Sequence, residues 1–217
     1  MKKLIRIQLI TVIMLLSATV FSQSLFLVQL VTNPNRAELS QDEVNQIQKA
    51  HLGHIRLLNN QGILLAAGPF EGGGGLFILQ ASSLADAKSA IAGDPAVKAN
   101  RFVVLVEPYT PSKGYVCQVH EDAELIMLGF VKISPSSGRE QDFQIQKMHR
   151  EFMAKKAANI NIVYEGWNTS LADGFFVCSG QTVESLESLF ATHPMVKDGS
   201  ITVDVKNLWI AEGAFCD

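Results

Sequence analysis

Two histidines three residues apart, His51 and His54, occur in the segment AHLGHIRLLNNQGILLAAGP, residues 50–69. The pattern predicts a helix that ends near Gly62 and is followed by an apolar strand. A histidine on such a helix can act as a general acid or base, ligate a metal or pack in the core. Two histidines on adjacent turns could reach one metal ion, but no third ligand is evident nearby, and neither HExxH nor CxxC occurs. We therefore expect no metal site and no cofactor.

Packing remains the main alternative to acid–base chemistry. A helical wheel of about 100° per residue places His51, and a second histidine at 149, each in the middle of an apolar stripe. The stripe residues are Val44, Ile47, Ile55 and Leu58 around His51, and Ile145, Phe152 and Met153 around His149. A histidine on a buried face is often a neutral, hydrogen-bonded core residue. Burial would also lower its pKa and keep a neutral base available. The sequence leaves both interpretations open.

The two histidines belong to an internal repeat. Four landmarks recur at offsets of 98 or 99 residues. The pairs are His51 and His149, Gly68 and Gly166, Pro95 and Pro194, and Val97 and Val196. Four landmarks held at nearly one offset over more than forty residues are hard to obtain by chance. The chain is therefore predicted to be a divergent tandem duplication.

Each half follows the order β-α-β-β-α-β. The first half is predicted to contain a strand at 24–32, a helix at 40–60, the hairpin ILLAAGP and GLFILQA, a helix at 83–92 and a strand at 101–107. The second contains the strand ELIMLGFVKI, a helix at 137–159, the hairpin INIVYEGW and GFFVCSG, a helix from Thr182 and the strand ITVDVKNLWI. Capping boxes, Ser40 with Glu43 and Ser137 with Glu140, predict the starts of the two long helices.

This order is typical of a ferredoxin-like α+β unit, an antiparallel sheet with two helices on one face. Strands such as LFLV and FVVLV are apolar on both faces and so require cover on both. We expect the two repeats to pack sheet to sheet as a pseudo-dimeric α+β barrel. The run Gly72 to Gly75 leads into a strand and predicts a hairpin loop.

The segments HLGHIRLLNNQGILLAAGP and SSLADAKSAIAGDPAVKAN, with the glycine-rich hairpin and the closing strand, resemble the YCII-related domain of the dimeric α+β barrel superfamily. The resemblance implies dimers with a cavity between facing sheets and, in a few members, chemistry on hydroxylated or chlorinated aromatic compounds. The family histidine, proposed as an acid–base group, falls on His51 and, by spacing, on His149. Some members place an aspartate near the end of the same helix, where this chain has Asn59-Asn60-Gln61.

Asp94, in the Asp-Pro turn before the last strand of the first repeat, is a third candidate catalytic residue. Its alternative role is turn formation. Its counterpart in the second repeat is His193, so the same acidic role cannot operate in both halves. The topology puts this turn at a sheet end and His51 near mid-helix, so it does not require contact between them.

The first 22 residues have the layout of a secretory signal peptide, with three basic residues, an apolar run and small or polar residues at its end. We expect cleavage, export to the periplasm or outside the cell, and no membrane attachment afterwards. The remaining chain has 15 Lys and Arg against 21 Asp and Glu, a net charge of −6, which argues against nucleic acid as a partner.

Three cysteines in an exported chain allow one disulfide and one free thiol. Cys117 precedes the first strand of the second repeat and Cys216 follows its last strand. Because these strands are expected to be neighbours, the two cysteines are predicted to pair. Cys178, within a central strand, is predicted to be a buried thiol.

The predicted organisation is a signal peptide at 1–22, a first repeat at 23–109, a linker at 110–122 and a second repeat at 123–217. Two functions fit it. One is binding, and transformation by His51 as a base, of a small phenolic or carbonyl molecule in a cavity between the sheets. The other is a binding or scaffold module that has lost the chemistry. The protein is expected to work as a monomer, itself a pseudo-dimer, or as a higher assembly of it.

Overall fold

The computed structural model describes residues 23–119, 122–140 and 142–217. The predicted signal peptide lies outside the described residues. Each half of the chain contains the expected strands and helices, with one additional short helix before its last long strand. In the first half these are β1 (Ser24–Thr32), α1 (Gln41–Asn60), β2 (Leu64–Pro69), β3 (Gly75–Ala81), α2 (Leu84–Ala92), α3 (Pro95–Lys98) and β4 (Phe102–Lys113).

The second half repeats the order after a short strand of the linker and ends in one more short strand. Its elements are β5 (Tyr115–Val116), β6 (Leu125–Pro135), α4 (Gln144–Lys156), β7 (Asn161–Trp167), β8 (Gly174–Ser179), α5 (Val183–Phe190), α6 (Pro194–Lys197), β9 (Ile201–Ala211) and β10 (Phe215–Cys216). No helix of the described residues is long and apolar enough to cross a membrane.

Eight of the ten described strands form one antiparallel sheet in the order β2-β3-β1-β4-β7-β8-β6-β9. The two repeats join where β4 continues past the first repeat and pairs with β7, with Thr110 opposite Trp167. The outer strands also meet, since Phe70, directly after β2, forms a bridge with Leu208 of β9. The sheet thus curls until its ends touch, which is the predicted pseudo-dimeric α+β barrel with facing sheets.

Three apolar layers follow from this arrangement. The barrel interior draws on both repeats and is packed with large side chains, among them Phe70, Tyr109, Phe130, Tyr164 and Phe175. One outer layer lies between the helices and strands of the first repeat, and the other between those of the second. LFLV of β1 is therefore covered on both faces, as expected. FVVLV of β4 is not, because Val103 and Leu105 on one of its faces are 46% and 44% exposed.

The starts of the two long helices differ. At α1 the predicted capping box is present, because Ser40 and Glu43 each bond the other's backbone N–H. At α4 the prediction is wrong: the helix begins at Gln144 after Phe143, whose side chain makes no capping bond, and Oδ1 of Asp142 accepts from the backbone N–H of Gln144 at 3.0 Å. Glu140 instead accepts a bond from the backbone N–H of Gly138, 3.0 Å away. Ser137 and Glu140 therefore lie ahead of the helix and do not cap it.

Cys117 and Cys216 form a disulfide, as predicted, with Cα atoms 6.2 Å apart. It reinforces the small sheet of β5 and β10, in which Tyr115 pairs with Cys216. Cys178 is buried and free. Burial raises the pKa of the Cys178 thiol to about 12, so this thiol stays protonated at neutral pH.

Candidate active site

The side chains of His51 and Asp94 are in direct contact. Nδ1 of His51, on α1, lies 2.7 Å from Oδ2 of Asp94, although 43 residues separate them in sequence. His51 is 8% exposed and Asp94 is fully buried. The sequence placed both residues among the candidates but did not require the contact. It forms because α3 returns the chain against α1.

The carboxylate of Asp94 is held on both of its oxygens. While Oδ2 faces His51, Oδ1 accepts hydrogen bonds from the backbone N–H groups of Ala96 (2.8 Å) and Val97 (3.3 Å), which makes Asp94 the N-cap of α3. The turn role and the pairing with His51 therefore coexist in one side chain. Burial raises the pKa of Asp94, but His51 and the two backbone donors outweigh it and leave the pKa below its ordinary value.

An ionised Asp94 accepts the proton on Nδ1 of His51 and so fixes the imidazole tautomer. The lone pair of a neutral His51 is then on Nε2, which has no hydrogen-bond partner among the described residues. One tenth of the His51 side chain remains accessible to solvent. The ring stacks on Phe77 at 6.0 Å and lies 6.2 Å from Phe102. The imidazole is thus held in one orientation, in apolar surroundings close to the surface.

The dyad lies on the helix side of the sheet, outside the barrel interior. Phe77 and Phe102 both belong to the layer between the helices and strands of the first repeat. We expected His51 to face a cavity between the two sheets. That expectation is wrong, because His51 lies on the other side of the sheet, the side covered by the helices. Large side chains fill the barrel, and a pocket there, lined by Leu27, Tyr109 and Phe175, measures about 10 Å³, enough for about one water.

His149 occupies the corresponding place in the second repeat but has no carboxylate partner. It is 2% exposed, and its ring stacks against that of His193 with centroids 6.0 Å apart. Burial, with smaller contributions from His193 and Arg150, lowers the pKa of His149 to about 3. His149 is thus a neutral, deeply buried histidine in a different polar environment from His51.

His54 has a structural contact of its own. Its Nε2–H donates to the backbone carbonyl of Ala90 on α2, 3.0 Å away, and so links α2 to α1.

Within the described ranges no group of three His, Cys, Asp or Glu side chains is placed to hold a metal ion. Asn59, at the place where some relatives have an aspartate, donates from its side chain to the carbonyl of Leu64. Asp94 is the carboxylate that meets His51 instead.

A buried lysine was missed by sequence reasoning. Lys132 of β6 is 5% exposed, and its ammonium lies 2.8 Å from Glu107 and in contact with Asp173. Burial lowers its pKa, and the attraction of Glu107 offsets only part of that effect. The available signal was a single lysine within the otherwise apolar strand LGFVKI, which marks a charge inside the sheet.

Comparison with known families gives a match for the first repeat. The family model of the YCII-related domain matches residues 25–110. The first repeat is a YCII-related domain. The matched segment contains both members of the His51–Asp94 dyad, whereas His149 lies outside it.

Solved structures share the fold of this chain over both repeats. An anthrone oxidase-like protein is 10% identical, with a TM-score of 0.52, and the match covers 88% of this chain and 92% of that one. A chlorite dismutase candidate is 8% identical, with a TM-score of 0.50 and coverage of 90% and 96%. At such identities the likeness shows the fold alone. No curated protein sequence matches the chain.

Proposed function

We propose that the protein binds a small phenolic or carbonyl compound beside His51 and removes a proton from it. The single observation that carries this proposal is the buried contact of 2.7 Å between Nδ1 of His51 and Oδ2 of Asp94. A carboxylate in that place sets the tautomer of the imidazole and stabilises the imidazolium that forms when the base takes up a proton.

The proton transfer follows from the orientation of the ring. Nε2 of His51 accepts the proton of a phenolic O–H, or of a C–H next to a carbonyl, and the electron pair stays on the substrate as phenolate or enolate. The positive charge on His51 is then compensated by Asp94. The aromatic rings of Phe77 and Phe102 beside His51 suit a planar, apolar substrate. Anthrone, named for a protein of the same fold, is such an aromatic ketone.

A binding module without catalysis is the second candidate. It is supported by the filled barrel interior and by the absence of a carboxylate at His193, the place of Asp94 in the second repeat. An open depression of about 560 Å³ beside the linker, lined by residues such as Val119 and Glu212, includes neither His51 nor Asp94.

Export and a monomeric state belong to the same proposal. The layout of residues 1–22 supports export. Because both repeats of one chain complete the barrel, no second copy is needed to close it. Light scattering of the purified protein is expected to give the mass of one chain, and a dimer mass would contradict this.

Thermal-shift screening of the purified protein against catechols, hydroquinones, aromatic ketones and small keto acids tests the function. We expect one class to raise Tm in the wild type. The variants His51→Asn and Asp94→Asn should lose proton abstraction from that class, measured as exchange of the substrate proton for deuterium. Asp94→Asn keeps an N-cap for α3, so its loss of activity would report the charge and not the fold.

His149→Asn is the matched control, because it changes the equivalent histidine of the other repeat. We expect it to exchange the substrate proton at the wild-type rate. Binding that persists in all three variants without exchange in any protein would instead support the binding module. Equal loss of exchange in His149→Asn would contradict a site at His51.

A further inference from the structure

The second repeat has the same backbone arrangement around His149 as the first has around His51, but the polar side chain that faces the histidine is different. His149 sits on α4 as His51 does on α1, and His193 caps α6 as Asp94 caps α3. Asp94 has φ −65° and ψ 128°, and His193 has φ −64° and ψ 128°. Each is followed by a proline. The backbone has therefore preserved the place of the partner while the partner has changed from a carboxylate to an imidazole.

The hydrogen bond at the cap fixes the tautomer of His193. Its Nδ1 accepts from the backbone N–H of Met195 at 3.1 Å, as a carboxylate oxygen of Asp94 does from Ala96. An accepting Nδ1 must carry a lone pair, so the neutral ring has its proton on Nε2. His193 therefore presents an N–H donor where Asp94 presents an acceptor.

Two unpartnered nitrogens remain in this pair. Among the described residues, neither Nε2 of His193 nor Nδ1 of His149 has a hydrogen-bond partner, and both atoms are buried. The two rings are 6.0 Å apart and 20° from parallel. The other neighbours of the His149 ring are the aromatic rings of Trp167, Phe176 and Phe190. Of the described rings packed against His149, that of His193 is the one whose buried nitrogen has no partner.

The energetics favour one proton arrangement. If Nδ1 of His149 carried the proton, it and the Nε2–H of His193 would be two buried donors without an acceptor, which is unfavourable. If the proton of His149 is on Nε2, its Nδ1 carries a lone pair, and one buried water between the rings can accept from the Nε2–H of His193 and donate to that lone pair. Only this tautomer of His149 offers an acceptor toward the Nε2–H of His193.

We infer that His193 is a positioning residue that holds His149 in the Nε2–H tautomer, the opposite of His51. A histidine in this form has no lone pair on Nε2 and cannot take up a proton there. His193 thereby gives His149 the opposite tautomer from His51, so that of these two equivalent histidines only His51 keeps a lone pair on Nε2. This inference concerns proton positions and does not depend on the proposed substrate.

Nitrogen NMR of the imidazole rings tests the inference without any substrate. Long-range ¹H–¹⁵N correlation spectra at neutral pH distinguish the two tautomers of each histidine. In the wild-type protein we expect the proton on Nδ1 in His51 and on Nε2 in His149. His54, which donates from Nε2 to Ala90, is the internal reference for the second pattern.

Reciprocal substitutions extend the test. His193→Asp is expected to move the proton of His149 to Nδ1, and Asp94→His to move that of His51 to Nε2, with His54 unchanged in both variants. A proton on Nδ1 of wild-type His149 would overturn the inference, and this spectrum decides the matter even if a variant does not fold. A folded His193→Asp protein whose His149 keeps the Nε2–H tautomer would overturn it as well.

Discussion

Lys132 of the second repeat and Glu107 of the first form an ion pair of 2.8 Å that joins the two halves of the barrel. The side chain of Glu107 is 37% exposed and that of Asp173, the second partner of Lys132, is 18% exposed, so only the ammonium is deeply buried. Two carboxylates would face each other if the lysine were removed.

Lys132→Met is therefore expected to destabilise the protein by about 1 to 3 kcal/mol. This is less than the loss for a fully buried pair, because both carboxylates keep some contact with water. Urea unfolding at pH 7 measures the change. Lys206→Met, which removes the more exposed pair with Asp204, is the control and should cost less than about 1 kcal/mol. Equal effects of the two substitutions would contradict a special role for Lys132.

Gly68 lies where the barrel closes. A Cβ added at Gly68 would overlap the backbone carbonyl of Trp209 on β9, and neither backbone can move freely. Gly68→Ala is expected to lower stability by about 1 to 3 kcal/mol through this overlap. Gly53→Ala on α1 is the matched control, since nothing lies within 4 Å of its added Cβ. It should raise stability by up to about 1 kcal/mol, because alanine favours helix.

Thermal unfolding of the two glycine variants separates these effects by sign. A Gly68→Ala protein as stable as the wild type would mean that β2 and β9 are not in contact.

Tight packing also explains why glycine recurs at this landmark of the repeat. A Cβ at Gly166, the counterpart of Gly68, would overlap the ring of Tyr109. Glycine recurs at these two positions for a packing reason that the spacing alone did not give.

The sequence predicted the repeat, the strand order and the disulfide because these follow from local patterns and a known topology. Apolar runs, the capping box at Ser40 and the matched spacing of His51 and His149 sufficed. It failed at the start of α4, where Glu140 bonds Gly138 in preference to capping a helix. Local competition between turn and helix decides such a start, and the pattern of residues does not reveal which wins.

The sequence predicted which residues form the candidate site, but not that they contact each other. His51 and Asp94 were both candidates, yet their contact depends on how α3 is placed against α1, which no local pattern specifies. The expected cavity between the sheets failed for a related reason. Whether aromatic residues such as Phe130 and Phe175 fill a barrel or line a space depends on how closely the two sheets approach, and the sequence does not give that distance.

The cysteines can be counted by thiol labelling. With Cys117 and Cys216 joined and Cys178 buried, native unreduced protein should label at no cysteine. Denatured unreduced protein should label at one, and denatured reduced protein at three. Mass spectrometry identifies the modified residues, and labelling of Cys117 and Cys216 without reduction would contradict the disulfide.

The disulfide should also stabilise the fold. It joins residues separated by 99 positions, and crosslinks that close long loops restrict the unfolded chain most. The double variant Cys117→Ser and Cys216→Ser is expected to lose about 2 to 5 kcal/mol in urea unfolding. Cys178→Ala is the control for loss of a thiol outside the disulfide, and its effect should not change when reductant is added.

The buried histidines of the second repeat predict a loss of stability in mild acid. Burial lowers the pKa of His149 to about 3 and also lowers that of His193. Between the ordinary histidine value near 6.5 and the lowered value, the unfolded chain binds a proton that the folded chain does not. Stability therefore falls as pH decreases through this range, by up to about 1.4 kcal/mol per pH unit for His149.

His149→Phe should flatten this dependence between pH 6.5 and 4.5. Urea unfolding at several pH values measures the slope, and the difference between wild type and variant cancels contributions from groups that both share. His193 still titrates in the variant, so the slope should decrease without vanishing. The aromatic neighbours Trp167, Phe176 and Phe190 suit a phenylalanine ring at this position. Parallel pH profiles for the two proteins would show that His149 does not resist protonation in the folded state.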